Sequence, residues 1–426
     1  MACATTALEE LDNKKIDLCH VLYITEILRN ILDNLMYDKK SLFRIAVSCR
    51  AFSGPALDTL WAFIPSFDPF IPLLPENVRQ GWELAHTLED LSHMQCPAEE
   101  WRVFDSYARR VHDLACGGST LPRLAAYQQL GILRPNSLIF PHLKALQFSI
   151  YVNSGPGTLM FPSSLRTLQI SHMGILLRDT SRWHSYTELA LHQVAQDVPL
   201  LEVLAIAGMY HLPPGGEPRP LPFQALHTVH FSPFLELEPR LFDHFSRLLS
   251  TAPVRFLTVH TSNFSPLFDG SDESDDKTPM FLNVEVLNII ADPQTAGDIV
   301  SRVGSPHLHA VTLESEPGSS PGLGQFFSAL AQRPGPIRSL NITLGDVEPS
   351  GVSAGAHING FLQILEPVVS AGLERLKANI PMKRASQVRS SVWKRLDEGC
   401  WPALEYVECN LTDAVTGESV ITVVQF

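Results

Sequence analysis

Residues 336–342 read Pro336-Ile337-Arg338-Ser339-Leu340-Asn341-Ile342, and the reading of that stretch decides the fold. Ile337, Leu340 and Ile342 are spaced apolar-x-x-apolar-x-apolar. The last two alternate, which suits a short strand with one buried face, while the first marks where the chain turns into it. Pro336 stops a preceding helix and releases the chain into extended geometry. The same spacing recurs at Leu143-Leu146-Phe148, Leu165-Leu168-Ile170, Leu201-Leu204-Ile206, Leu226-Val229-Phe231 and Val254-Leu257-Val259. It continues at Val284-Leu287-Ile289 and Leu308-Val311-Leu313, with weaker copies at Leu373-Leu376-Ala378 and Leu404-Val407-Cys409 and an early candidate at Val111-Leu114-Cys116.

Any single match is weak in so apolar a chain. Two regularities lift the set above chance. After Phe140 the middle positions advance by 22 to 36 residues without bunching. Eight of those ten copies also have a proline within four residues upstream, where 32 prolines in 426 residues would place one by chance in about a quarter. Several intervening segments are amphipathic and read as helices: 240–249, 325–331, 361–369 and 391–396. Strand, turn and helix in repetition resemble leucine-rich repeats, a curved solenoid with strands on the concave side. The asparagine ladder of regular leucine-rich repeats is largely missing, so the arc expected over residues 140–426 is irregular.

The front of the chain has another periodicity. Ile27, Leu28, Ile31, Leu32 and Leu35 form one apolar stripe on a helix, with Thr25 placed to cap it and Glu26 to complement its dipole. Asp38-Lys39-Lys40-Ser41 breaks the pattern before a second helix through Leu42, Phe43, Ile45, Ala46 and Val47. Gly54-Pro55 reads as the end of that helix, with Pro55 opening a third that carries Ala56, Leu57, Leu60, Trp61 and Ile64. Three such short helices are marginal alone and tend to need a partner.

The run VLYITEILRNILDNLMYDKKSLFRIAVSCRAFSGPALDTLW, residues 21–61, resembles an F-box of the form common in fungal proteins. The match is best at the centre and the close, at Val47, Cys49, Arg50, Phe52 and Pro55 to Trp61. Thr25 stands where that family usually has proline. The resemblance implies docking onto a Skp-family adaptor, and through it a cullin scaffold. Carried over position by position, the docking surface would comprise Ile24, Thr25, Ile27, Leu28, Ile31, Leu35, Val47, Cys49, Arg50, Phe52 and Trp61. The same residues also read as an ordinary three-helix cap on the solenoid. The domain expectation is thus an F-box-like module at 18–64, a helical linker and solenoid cap at 65–139, and the solenoid at 140–426, an α/β repeat architecture.

Composition narrows the function. At 45% hydrophobic the chain can bury a large core, and a formal charge of −13 argues against nucleic acid as a partner. The one basic run, Lys383, Arg384, Arg389, Lys394 and Arg395, reads as a solvated helix face. The absence of a signal-like start or a long apolar stretch points to an intracellular protein, of cytoplasm or nucleus, with no membrane partner. Seven sparse cysteines without a C-x-x-C fit reduced thiols rather than a zinc module.

Enzymatic readings fail on geometry. Gly351-Val352-Ser353-Ala354-Gly355 fits the nucleophile-elbow spacing, but no strand leads into Ser353 and the last histidine is His357, four residues on. Sixteen scattered histidines show no metal spacing, and His227 and His230 fall on opposite sides of an expected strand. Gly322-Leu323-Gly324 is a fragment of a phosphate loop and reads as structural. The acidic stretch 269–276 lacks calcium-loop spacing and reads as a solvated insertion. No catalytic, metal or cofactor residue is therefore expected. The expected role is the substrate-receptor adaptor of a Skp–cullin–F-box ubiquitin ligase, non-catalytic itself, with an unknown client protein on the solenoid. The rival is a free-standing repeat scaffold that binds a partner without ubiquitin transfer.

Overall fold

The structure, a computed structural model, describes residues 25–84, 96–116, 130–131, 133–134, 137–150, 161–172, 191–208, 219–232, 239–261, 280–315, 322–344, 365–382, 401, 403–413 and 419–425. The chain divides into two compact units, residues 1–148 with 157–165 and residues 149–156 with 166–426. The first unit thus holds the helical front and the expected linker together, and runs past the boundary expected at 139.

The first unit opens with α1 (Thr25–Asn34), α2 (Lys39–Ser48) and α3 (Arg50–Ala62). The polar stretch at 38–41 is both a break and a cap. A carboxylate oxygen of Asp38 accepts from the Ser41 backbone N–H at 3.0 Å, and the Ser41 hydroxyl donates to its other oxygen at 2.6 Å. These two bonds, the hydroxyl's first, hold the Asp38 carboxyl below its ordinary range. The start of the third helix corrects the sequence expectation. It begins at Arg50, with Cys49 extended before it, and Pro55 lies inside as its sixth residue. Proline there forfeits one intrahelical bond, and the residue before it is Gly54, which has no Cβ to crowd the ring. Lys39 closes the far end, donating to the carbonyls of Leu60 at 2.8 Å and Phe63 at 3.0 Å.

Beyond the trio come β1 (Phe63–Ile64), a 3₁₀ turn at Asp68–Leu73, α4 (Glu76–Leu84), a second 3₁₀ turn at Ala98–Trp101, and α5 (Arg102–Ala108). Strands β2 (Asp113–Cys116) and β3 (Ala145–Ile150) follow, and β1, β2 and β3 pair in parallel in that order. The core between them is aromatic: Phe67, Phe70, Phe104 and Phe140 are all buried, with ring centroids 5.1–6.4 Å apart.

The second unit carries β4 (Thr167–His172), β5 (Val203–Gly208), β6 (Thr228–Phe231), β7 (Phe256–His260) and β8 (Val286–Ile290). Strands β9 (Ala310–Ser315), β10 (Ser339–Leu344), β11 (Arg375–Met382) and β12 (Tyr406–Asp413) follow. From β4 to β12 each strand pairs in parallel with the next in the chain, and β13 (Ser419–Gln425) closes antiparallel on β12. Helices α6 (Pro239–Leu248), α7 (Pro293–Arg302) and α8 (Leu323–Ala331) lie in the connections. This is an α/β fold built on a parallel sheet.

Every one of the eleven apolar copies becomes a strand, and each strand starts two residues after its first member. Register is shared along the series. Leu204 lies opposite Leu168 and Val229, and the middle positions continue through Leu257, Leu287, Val311, Leu340, Leu376 and Val407. The first two members of all eleven copies are buried. Each such aliphatic contributes roughly 1.5–3 kcal/mol by leaving water, so the ladder is the main store of stability.

Two glycines let α7 and the start of α8 approach each other closely. A Cβ on Gly297 of α7 would sit 3.1 Å from the Phe326 backbone nitrogen of α8. Gly322 has φ of +100°, and its Cβ would fall 2.6 Å from the Gln294 nitrogen. Helix α7 is absent from the sequence expectation. Its start is Asp292, whose side chain accepts from the N–H groups of Gln294 and Thr295 at 3.0 Å, followed by Pro293. Of the expected helices, 391–396 lies outside the described residues, as do the serine of the elbow-like motif, the basic run at 383–395 and the acidic stretch at 269–276.

Candidate interaction surfaces

The helical trio has a core of Leu28, Leu32, Leu42, Ala46 and Ala56, against which Leu35, Ile45, Phe52, Leu57 and Leu60 pack partly buried. So small a core leaves apolar side chains in water. Val47 is 67% exposed, Phe43 57% and Ile31 40%, and Met36 and Tyr37 in the turn after α1 are exposed as well. Phe43 and Val47 are four residues apart on α2 and share one face.

The expected docking residues fall in different places on this module. Ile24 lies outside the described residues, and Thr25 is the first residue of α1. Ile31, Val47 and Arg50 are exposed, while Ile27, Leu35, Cys49 and Phe52 are half-buried. Leu28 points into the trio's own core. Trp61 packs within the unit, its ring tilted 4.6 Å from that of Tyr107 and edge-on 5.1 Å from that of Phe70. A docking face can therefore draw on Ile31, Val47 and Arg50 directly, whereas Leu28 and Trp61 act by holding the helices that carry them.

The second surface lies in the second unit. The residue just before each strand forms a column: Arg166, Glu202, His227, Arg255, Glu285, His309, Arg338, Glu374 and Glu405. Its backbone is tightly indexed. Each carbonyl, up to that of Glu374, accepts two N–H groups from the next copy, as Arg255 accepts from Glu285 at 2.8 Å and Val286 at 3.1 Å. The column therefore reads Arg-Glu-His, Arg-Glu-His, Arg-Glu-Glu, one side chain per strand.

Neighbours in such a column stand about 4.8 Å apart, so adjacent like charges would repel. Here each arginine is followed by a glutamate. Arg255 donates through Nε and Nη2 to the two carboxylate oxygens of Glu285 at 2.7 and 2.8 Å. Arg166 lies 3.5 Å from Glu202 and Arg338 lies 3.7 Å from Glu374. His227 Nε2 stands 4.0 Å from the Glu202 carboxylate. The Arg255 hydrogen bond holds the Glu285 carboxyl below its ordinary value, and Glu285 raises Arg255 in return.

Beside the column, strand side chains opposite the core are half-exposed and mostly uncharged from β6 to β10: His230, Thr258, Asn288, Thr312 and Asn341. Burial pushes the His230 imidazole below its ordinary value. Phe256 is an exposed aromatic on this face, 6.5 Å from His227 ring to ring and 6.0 Å from the Arg255 guanidinium.

No protein-family model matches the chain, and no curated protein matches it. Among the described residues, no group of three His, Cys, Asp or Glu could hold a metal ion. No helix among them is long and apolar enough to cross a membrane. Phe43 could have been found from the sequence, as the apolar residue of the second helix lying outside its buried stripe. The charged column could not, because its members are tens of residues apart and only the strand register lines them up.

Proposed function

We propose that the chain is the substrate-receptor adaptor of a Skp–cullin–F-box ubiquitin ligase, with an F-box-like helical module docking a Skp-family adaptor. A leucine-rich-repeat-like solenoid holds the client protein in this reading, and the chain itself is non-catalytic. The observation that carries the reading is the apolar surface left on the trio, at Ile31, Phe43 and Val47. Phe43 and Val47 share one exposed face of α2, and an exposed apolar face is what a docking site offers. A handful of them suffices for stable association once binding costs are met. Sequential parallel strands, one per copy with helices between, support the solenoid half of the reading.

Co-expression with a Skp-family adaptor is the test. The intact chain should co-purify with the adaptor, and Ile31→Asp with Val47→Asp should abolish capture while circular dichroism stays unchanged. Both positions are exposed, so the pair removes the surface without removing the core, as Leu28→Asp would. Failure of the intact chain to capture the adaptor removes the ligase reading.

A second reading has its own support. Leu28 and Trp61 are used inside the first unit, as a three-helix cap would use them, which favours a free-standing repeat scaffold without ubiquitin transfer. Adaptor capture separates the two.

A further inference from the structure

We infer that β13 is a dimer edge, pairing antiparallel with β13 of a second copy of this chain about a two-fold axis. The inference goes beyond the proposed function and does not depend on it. It starts from backbone groups. A strand at the end of a sheet leaves one row of N–H and C=O groups outside the ladder, ready to template another strand. Among the described residues β13 pairs with β12 alone, and no strand lies on its other side.

Sheet edges are ordinarily kept from pairing by shortness, charge, proline or a bulge. The outermost strand of the first unit, β1, is two residues long and too short to template anything. β13 has none of these devices. It runs for seven residues, Ser419-Val420-Ile421-Thr422-Val423-Val424-Gln425, without charge, proline or glycine, and its register on β12 advances one for one with no bulge. Five of the seven are β-branched, the residue type that favours strands. A neutral, β-branched segment of this length is the composition that pairs with its own kind.

The symmetry of the segment selects a second copy as the occupant. Antiparallel pairing centred on Thr422 sets Thr422 opposite Thr422 of the second copy, Ile421 opposite Val423, Val420 opposite Val424 and Ser419 opposite Gln425. All seven residues are then paired. Polar meets polar and β-branched aliphatics meet each other, the cross-strand matches that stabilise a sheet. A slip of one residue leaves an end over and sets Ile421 or Val423 against Thr422. The strand carries no charge, so two copies meet there without local repulsion, and the chain's formal charge of −13 is screened beyond about 8 Å at physiological salt. Such an isologous contact closes at two copies.

Analytical ultracentrifugation of the full chain over a concentration series is the first test, and it should show monomer and dimer in equilibrium with no larger species. Ile421→Lys with Val423→Lys should raise the dissociation constant roughly tenfold or more, because each lysine then stands opposite a lysine of the second copy. Within its own chain the same pair stands opposite Asn410 and Glu408, so the thermal midpoint should move little. A second pair of variants reads the register directly. When Val423→Lys is mixed with Ile421→Glu, native mass spectrometry should show the heterodimer above its statistical share, since only there does lysine meet glutamate. If the double lysine variant loses its fold, this mixture decides alone. A parent chain that stays monomeric, a dimer that a folded double lysine variant leaves intact, larger species without a dimer, or a statistical mixture would each overturn the inference.

Discussion

The helical trio at residues 25–62 and the strand ladder from Thr167 to Asp413 draw on the same apolar residue types and dispose of them differently. In the ladder the first two members of every copy are buried, and the alternate positions face away from the core. In the trio one stripe on α1 is split: Leu28 and Leu32 are buried, Ile27 and Leu35 half-buried, and Ile31 exposed. The reason is geometric. A strand has two faces and a binary parity, so an apolar residue is either in or out. A helical stripe is broader than five buried residues can cover, so its flank is left over. What the ladder buries for its own stability, the trio leaves partly exposed.

The sharpest break in that comparison is a cavity of equal chemistry in each region. Leu287→Ala in β8 and Leu32→Ala in α1 each delete a fully buried side chain and should cost about 2–5 kcal/mol. Their reach should differ. Hydrogen exchange should show Leu287→Ala loosening the amides of β7, β8 and β9 together, since each strand is registered on its neighbours. Leu32→Ala should open α1 to α3 while the strand ladder stays protected. Equal loosening of both regions by either variant would mean that the trio is not a separable module.

A smaller effect tests how α7 and α8 are held against each other. Gly322→Ala places a Cβ 2.6 Å from the Gln294 nitrogen in a left-handed backbone, and should cost about 2–3 kcal/mol from strain and overpacking together. The cost should appear as a lowered denaturation midpoint. A neutral outcome would show that the α7–α8 contact yields easily.

The ladder was legible because its parity and its upstream prolines act in the same direction at every copy. The trio's helices were legible too, but not which flank of α1 would be left outside. That depends on how much core α2 and α3 can offer. Pro55 was misread because a proline after glycine looks like a start, whereas here the helix is already five residues long. Helix α7 was missed because Gly297 sits in its middle, and that glycine is present for close packing against Phe326 rather than for a turn. The charged column needs register, which a linear sequence does not display.

The gentlest test asks whether that column belongs with the ladder's stability or with the trio's kind of surface. The Arg255–Glu285 pair is well formed at 2.7 and 2.8 Å, yet it stands largely in water, where such pairs add little to folding. Arg255 holds the Glu285 carboxyl below its unfolded value, so whatever stability it adds is present above the ordinary carboxylate range. That share is lost as pH falls through the lowered folded value. Glu285→Gln should therefore leave the thermal midpoint at pH 7 almost unmoved, and the small difference from the parent chain should vanish on acidification. A large drop at pH 7 would make the column a structural brace. An unmoved midpoint makes the column an ordinary set of exposed ion pairs, whose order follows from strand register and not from a need to hold the fold together.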